Sequence, residues 1–274
     1  MPILSIDDID DPRIADYRNV PDRELLERRG LFVAEGRLVV RRLLTASPLR
    51  ARSVMVTEAG RASISDTRSG DSPLPIYVVS PTVMNEVTGF HLHRGCLAIG
   101  ERPAPADWRA LTAGERRVVV LERVGNADNI GAIFRSALAF GVDAVLLGPE
   151  CVDPLYRKAI RTSMAATLML PFARIEPWPD GLRMLRDQGC ATIALTPASD
   201  TAALRDVAPC IAMRTSWAVV LGHEGEGLTS AAMNACEYRA RIPMIPSADS
   251  LNVATAAAIA LYEMAVYDHD TSKE

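Results

Sequence analysis

Lysine is almost missing from this chain of 274 residues: of its thirty basic residues only Lys158 and Lys273 are lysine. A GC-rich coding genome accounts for that bias without a functional reason. Cysteine is sparse and unpatterned. Cys96, Cys151, Cys190, Cys210 and Cys236 are odd in number and nowhere spaced as CxxC. This excludes a disulfide framework and the usual zinc spacings, and fits buried free thiols in a reducing compartment. No apolar run reaches the ~18 residues of a membrane span; the longest candidate, residues 253–267, is alanine-rich and carries Glu263. The first twenty residues are acidic and contain no apolar h-region, so no secretory signal is expected and a cytoplasmic protein is. Neither a lysine-bearing phosphate loop nor GxGxxG is present, which speaks against a nucleotide-dependent metabolic enzyme. A positive excess is lacking too. Thirty Lys and Arg against thirty-four Asp and Glu leave a net charge of −4, excluding an indiscriminate polyanion binder.

What is there is ordinary for a globular chain, with 49% hydrophobic and 23% charged residues. The length suggests about two domains and enough core to need no staple. Charge is segregated. Residues 1–110 hold 15 basic and 15 acidic residues, and residues 111–274 hold 15 and 19. Within the first part, Arg23 to Arg52 contains eight arginines against three glutamates. A basic face is thus expected there, with solvated helix faces as the alternative.

Periodicity predicts helices over 22–29, 36–44 and 81–87 and strands over 53–57, 76–79 and 96–99, with a Ser/Gly-rich loop at 60–75. Prolines 103 and 105 and dense charge then mark a boundary. The expected organisation is a domain 1–105, a linker 106–116 and a second domain 117–268. The second part predicts strands over 117–121, 144–147, 168–172, 191–195 and 217–221, and an edge strand over 239–242. Between them fall helices over 129–140, 154–160, 181–188, 230–236 and 251–266. Such alternation implies a parallel sheet covered on both faces. The tail 268–274 is expected to be disordered.

In open α/β sheets ligands bind where the chain leaves the carboxyl ends of strands, and three such exits have unusual composition. The first, ERVGNADNIGAIFRSA (122–137), sets Asn126, Asp128 and Asn129 before Gly131 and Ala132, small residues that let an anion approach a helix N-terminus. Arg135 is the only cation amid Ile130, Ile133, Phe134, Ala137 and Leu138, and a guanidinium there can grip a phosphate bidentately. The alternative is helix capping by Asn129 with a plain surface arginine. The second, LGHEGEGL (221–228), has three glycines in six positions, which implies a tight loop. Glu224 and Glu226 make it too acidic for a phosphate cradle, so a carboxylate here orients an arginine or accepts from an amine or hydroxyl, unless the segment is a plain turn. The third, IPMIPSADSLNV (242–253), ends in Ser250, Leu251 and Asn252, with Ser250 a good N-cap.

The ordered trio NADNIGAIFRSALAFGVDAVLLGP, LGHEGEGL and IPMIPSADSLNVATAAAIALYE resembles the three signature motifs of the SpoU (TrmH) family of RNA ribose 2′-O-methyltransferases, of the SPOUT superfamily. The likeness spans 117–267. The segment LFVAEGRLVVRRLL resembles the small α/β RNA-binding domain that often precedes the catalytic one. The resemblance implies an α/β fold whose C-terminal parallel sheet carries a deep trefoil knot, and a homodimer. It implies S-adenosylmethionine as cofactor, with contacts at Thr196, Gly222, Ile242 and Leu251, and no metal. The catalytic arginine maps to Arg135 and the supporting residues to Asn129, Glu224, Ser250 and Asn252, with Glu224 and Asn129 holding the guanidinium. The partner is rRNA or tRNA. A catalytically silent RNA-binding or ribosome-assembly protein of the same fold is the alternative, against which the presence of Arg135 and Glu224 speaks. The chain departs from the family pattern at Pro246 and Ala165, where glycine is common.

Overall fold

In the computed structural model the described residues are 2–18, 20–62, 64, 73–89, 95–212, 214–245 and 247–270. They divide into two units. One comprises Met1–Ala104 with Asp153–Met169, the other Pro105–Val152 with Leu170–Glu274.

In the first unit the expected strands and helices form as β3 (Ala51–Thr57), β4 (Ile76–Val79), β5 (Cys96–Glu101), α1 (Asp22–Arg29), α2 (Arg37–Thr45) and α4 (Pro81–Thr88). Two strands and one helix were not expected: β1 (Ile3–Ile6), β2 (Leu31–Glu35) and the single turn α3 (Glu58–Arg61). β2 was hidden because only Gly30 separates it from α1. That glycine sits at φ 64° as a left-handed cap and turns the chain within one residue. The sheet order is β1-β4-β3-β5-β2, with β5 antiparallel to both neighbours and the other pairs parallel. Phe32 lies opposite Gly100 across β2 and β5, and a Cβ on Gly100 would fall 2.1 Å from the ring. Residues 63 and 65–72 of the expected loop 60–75 lie outside the described residues.

The expected basic face is partly neutralised. Arg23 pairs with Glu27 at 3.1 Å, Arg29 with Asp16 at 3.0 Å and Glu24 at 3.1 Å, Arg50 with Glu101 at 3.6 Å, and Arg52 with Asp16 at 3.8 Å. Arg28 and Arg37 stay exposed with no ion pair among the described residues. Acids that are distant in sequence fold back onto the arginines.

The second unit carries α5 (Trp108–Leu111), β6 (Arg117–Leu121), α6 (Ala127–Ala139), β7 (Ala144–Leu147), β8 (Phe172–Arg174), α8 (Asp180–Asp187), β9 (Ala191–Leu195), β10 (Ala202–Ala203), α9 (Leu204–Ala212), β11 (Trp217–Leu221), α10 (Ser230–Ala235), β12 (Tyr238–Arg241) and α11 (Val253–Asp270). Its seven strands are all parallel in the order β10-β12-β9-β11-β6-β7-β8. Every carboxyl end therefore lies on one edge of the sheet. β6 and β11 are central, and Val118, Val119, Val120 and Val219 are fully buried, as their continuous apolar runs require.

Several expectations are corrected. Residues 168–172 are not a strand: a 3-10 turn covers Ala166–Leu168 and pairing begins only at Phe172. β12 is internal, because β10 pairs beyond it. The expected linker 106–116 contains α5, whose Trp108 is 3% exposed in the core and donates from Nε1 to the Glu176 carbonyl at 3.0 Å. The helix expected at 154–160 is α7 (Arg157–Thr162), and with Asp153–Met169 it belongs to the first unit, not to the domain 117–268. The Arg157 backbone N–H donates to Asp22 there at 3.0 Å. α11 runs to Asp270, through the start of the expected disordered tail; residues 271–274 lie outside the described ones. Ala165 adopts φ 72°, a left-handed conformation costing a side-chain-bearing residue roughly 1–2 kcal/mol, which gives the usual glycine there its reason.

All five cysteines are free, and Cys210 is exposed where a buried thiol was expected. Burial pushes the Cys96, Cys190 and Cys236 thiols up to about 12. Among the described residues no helix is long and apolar enough to cross a membrane.

Candidate active site

Three strand exits converge on one cavity of about 430 Å³ at the carboxyl edge, within the usual range for small-molecule sites. Thr196 follows β9, Gly222 and Glu224 follow β11, and Ile242, Ser250 and Leu251 follow β12; all six line it. Leu195, Leu221, Leu228 and Met233 supply an apolar wall, and Glu224, Glu226 and Asp249 supply carboxylates, with no lysine or arginine in the lining among the described residues. Such a lining favours a cationic ligand with a flat apolar part. Pro246 lies outside the described residues.

The glycine loop closes on itself. His223 and Gly227 bridge through mutual backbone hydrogen bonds of 3.0 and 3.1 Å. The His223 imidazole accepts at Nδ1 from the N–H groups of Gly225 at 3.0 Å and Glu226 at 3.1 Å. Gly222 has no room for a side chain: a Cβ would lie 2.3 Å from the Gly227 carbonyl carbon and 2.4 Å from the Leu228 nitrogen. The obstacle is backbone and cannot rotate away. Gly222→Ala is thus expected to distort the loop and weaken binding of S-adenosylmethionine, the cofactor that the sequence resemblance implies, at least ~10-fold, about 1.4 kcal/mol, in a calorimetric titration.

A side-chain relay joins the exits of β6, β11 and β12, although no residue of the β6 exit is itself in the cavity lining among the described residues. Asn252 Nδ2 donates to Asn129 Oδ1 at 3.0 Å, and Asn129 Nδ2 donates to Glu224 Oε1 at 2.8 Å. Asn129 is 8% exposed, so its amide must be satisfied in this way. It does not cap its helix; Asn126 does, accepting from the Asp128 N–H at 2.8 Å. Nor does Ser250 cap α11. Asn252 accepts from the N–H groups of Ala254 at 2.9 Å and Thr255 at 3.3 Å. Glu224 and Asn129 hold each other rather than Arg135. Arg135 is exposed, and its side chain makes no hydrogen bond or ion pair with any described residue.

Two consecutive residues at the end of β6 pin the glycine loop, and sequence reasoning did not single them out. Glu122 is fully buried and accepts from the Trp178 indole N–H, the Thr229 N–H and the Thr229 hydroxyl, each at 2.8 Å. Arg123 donates to Glu226 inside the loop at 2.7 Å and lies 3.4 Å from Glu150. The Arg123 guanidinium holds the Glu226 carboxyl below its ordinary range. The available signal was an acid placed directly after four apolar residues of a buried strand.

The sequence model of the SpoU rRNA Methylase family matches residues 116–262, the stretch that contains β6, the glycine loop and the relay. The chain belongs to the SpoU rRNA methylase family. A relative from Mycobacterium bovis, named a tRNA/rRNA methyltransferase, is 42% identical over 265 residues, 95% of this chain and 91% of its own length. A solved rRNA methyltransferase of Sinorhizobium meliloti with AdoMet bound shares the fold at a TM-score of 0.81 and 22% identity, covering 96% of this chain and 97% of its own. An RNA 2′-O ribose methyltransferase superposes with a TM-score of 0.75 at 25% identity, covering 97% of this chain and 99% of its own. Of the four residues Asn129, Arg135, Glu224 and Asn252 expected at the site, three are directly bonded in the relay and Arg135 is not.

Proposed function

We propose that this SpoU-family methyltransferase transfers a methyl group from S-adenosylmethionine to the ribose 2′-hydroxyl of a nucleotide in rRNA or tRNA. The observation that carries the reading is the convergence of three strand exits on one acidic, apolar-walled cavity backed by the Asn252–Asn129–Glu224 relay. The cavity suits that donor: Leu221, Leu228 and Ile242 fit an adenine, while Glu224, Glu226 and Asp249 fit its positive charges. Thr196, Gly222, Ile242 and Leu251 hold it, largely through backbone and apolar contacts. When bound, the donor offers an electrophilic sulfonium methyl whose leaving group is neutral.

The chain's own residues then have to position the attacking oxygen and ease its deprotonation. Arg135, with no internal partner, binds an RNA phosphate and orients the adjacent 2′-hydroxyl; an arginine stays protonated, so positioning is its main task. Asn129 and Asn252 fix the Glu224 carboxylate, leaving one oxygen toward the cavity. Ser250 lies in the lining, within reach of ribose or donor. The segments after β9, β11 and β12 form the family's trefoil knot. The chain works as a homodimer, a reading supported by the free Arg135 and by Tyr262 on α11, which is 57% exposed. The first unit binds RNA, for which exposed Arg28 and Arg37 are available.

The test uses donor labelled in the methyl group with unmodified transcripts of rRNA and tRNA. Label is expected in dinucleotides that resist alkali, because a 2′-O-methyl group removes the nucleophile of alkaline cleavage. Label confined to alkali-labile mononucleotides would place the methyl on a base and overturn the ribose reading.

A further inference from the structure

We propose that a second pocket on the same sheet edge receives a nucleotide of the substrate RNA flanking the methylated one, with its phosphate on Arg174. This rests on the RNA reading above and deepens it. The pocket lies at the exits of β7 and β8, has a volume of about 710 Å³, and is lined by Gly148, Pro149, Arg174, Pro177, Trp178 and Arg109. Arg174 is exposed and has no hydrogen bond or ion pair with any described residue. The Arg109 guanidinium stacks 4.6 Å from the Trp108 ring centroid and lies 3.8 Å from the Asp107 carboxylate. Two arginines thus line one concave surface, and only Arg109 is ion-paired among the described residues. Planar guanidinium forks match phosphate bidentately.

The floor is rigid. The Trp178 indole is tethered to Glu122 at 2.8 Å, and a Cβ on Gly148 would come within 3.2 Å of its ring. A flat apolar face that is already held still lets a base bind without an ordering cost. The acid of the lining, Glu176, suits an exocyclic base amine better than a phosphate.

Position makes the pocket a continuation of the reaction site. β11, β6 and β7 are neighbours in the sheet, so the exits of β11 and β7 lie two strand spacings apart, about 10 Å. One RNA strand spans that gap in a few nucleotides. Glu122 ties the two places together, since it bonds Thr229 beyond the glycine loop and Trp178 in the second pocket.

The experiment measures binding of in vitro transcribed rRNA and tRNA to the full chain against salt concentration, for wild type, Arg174→Ala, Arg174→Glu and Arg174→Lys. For Arg174→Ala the slope of log affinity against log salt is expected to become shallower by about 0.7–0.9, one phosphate contact. KM for RNA should rise several-fold, with affinity for the methyl donor unchanged. Arg174→Glu should exceed Arg174→Ala, and Arg174→Lys should keep the wild-type slope. A wild-type slope and RNA KM in Arg174→Ala and Arg174→Glu would overturn the proposal. Failure of the wild-type chain to methylate any RNA would overturn the parent reading, and this one with it.

Discussion

Arg135→Ala is expected to lower kcat for methyl transfer by about 10²–10⁴-fold, the range typical of losing a group that positions or moves the reacting proton. The fold should not notice. Arg135 is exposed and its side chain is bonded to no described residue, and substitutions at such positions change stability by about 0.5 kcal/mol or less. Binding of S-adenosylmethionine should persist within about twofold, because Arg135 is not part of the cavity lining; a factor of two is below 0.5 kcal/mol. Arg135→Lys should recover little, since an ammonium cannot reproduce a planar two-pronged grip on phosphate and hydroxyl. Steady-state transfer of labelled methyl, run beside a calorimetric titration of the donor, separates the two effects. Unchanged kcat in Arg135→Ala would remove the residue from the reaction.

The second large effect is expected at Glu122. Truncation to alanine leaves the Trp178 N–H, the Thr229 N–H and the Thr229 hydroxyl without their shared acceptor inside the core. Each unsatisfied buried donor costs about 1–3 kcal/mol. The rotatable hydroxyl can turn elsewhere, so a loss of about 3 kcal/mol or more is expected, equivalent to roughly 6–12 °C in Tm. Glu122→Gln keeps the volume but turns an amide toward a backbone N–H, setting donor against donor, and should lose about half as much. Both variants should also weaken donor binding, because Thr229 directly follows the glycine loop and anchors its end to Glu122. A Glu122→Gln protein with wild-type Tm and wild-type donor affinity would show that the anchor is dispensable.

What the sequence revealed follows from which forces are local. β6, β9 and β11 begin and end where their apolar runs do, since burial on both faces demands an unbroken stretch of such residues. α9 escaped notice because Pro209 sits inside it. Trp108 was hidden among charged and proline residues, although its ring is core. The candidate residues around the cavity could be named because each closes a strand. How they are joined could not be. Asn129 and Glu224 are 95 residues apart and Asn129 and Asn252 are 123 apart, so the relay exists only once the sheet order is set. Charge behaved likewise: eight arginines against three glutamates over Arg23 to Arg52 suggested a basic face, and Asp16, outside that window, pairs with both Arg29 and Arg52.

Glu122 and Arg123 part where the chain leaves β6, because Arg123 takes φ 59° and ends the extended path of the strand. The first is fully buried, and the side chain of the second is 28% exposed. The end of β6 therefore keeps a reading frame. One residue deleted between Arg117 and Leu121 would deliver the Arg123 guanidinium to the pocket built for a carboxylate, and one inserted would deliver the Glu122 carboxylate to the two acids that Arg123 now holds. Point substitutions along β6 trade packing for packing, whereas a change of length there inverts the charge that meets the loop.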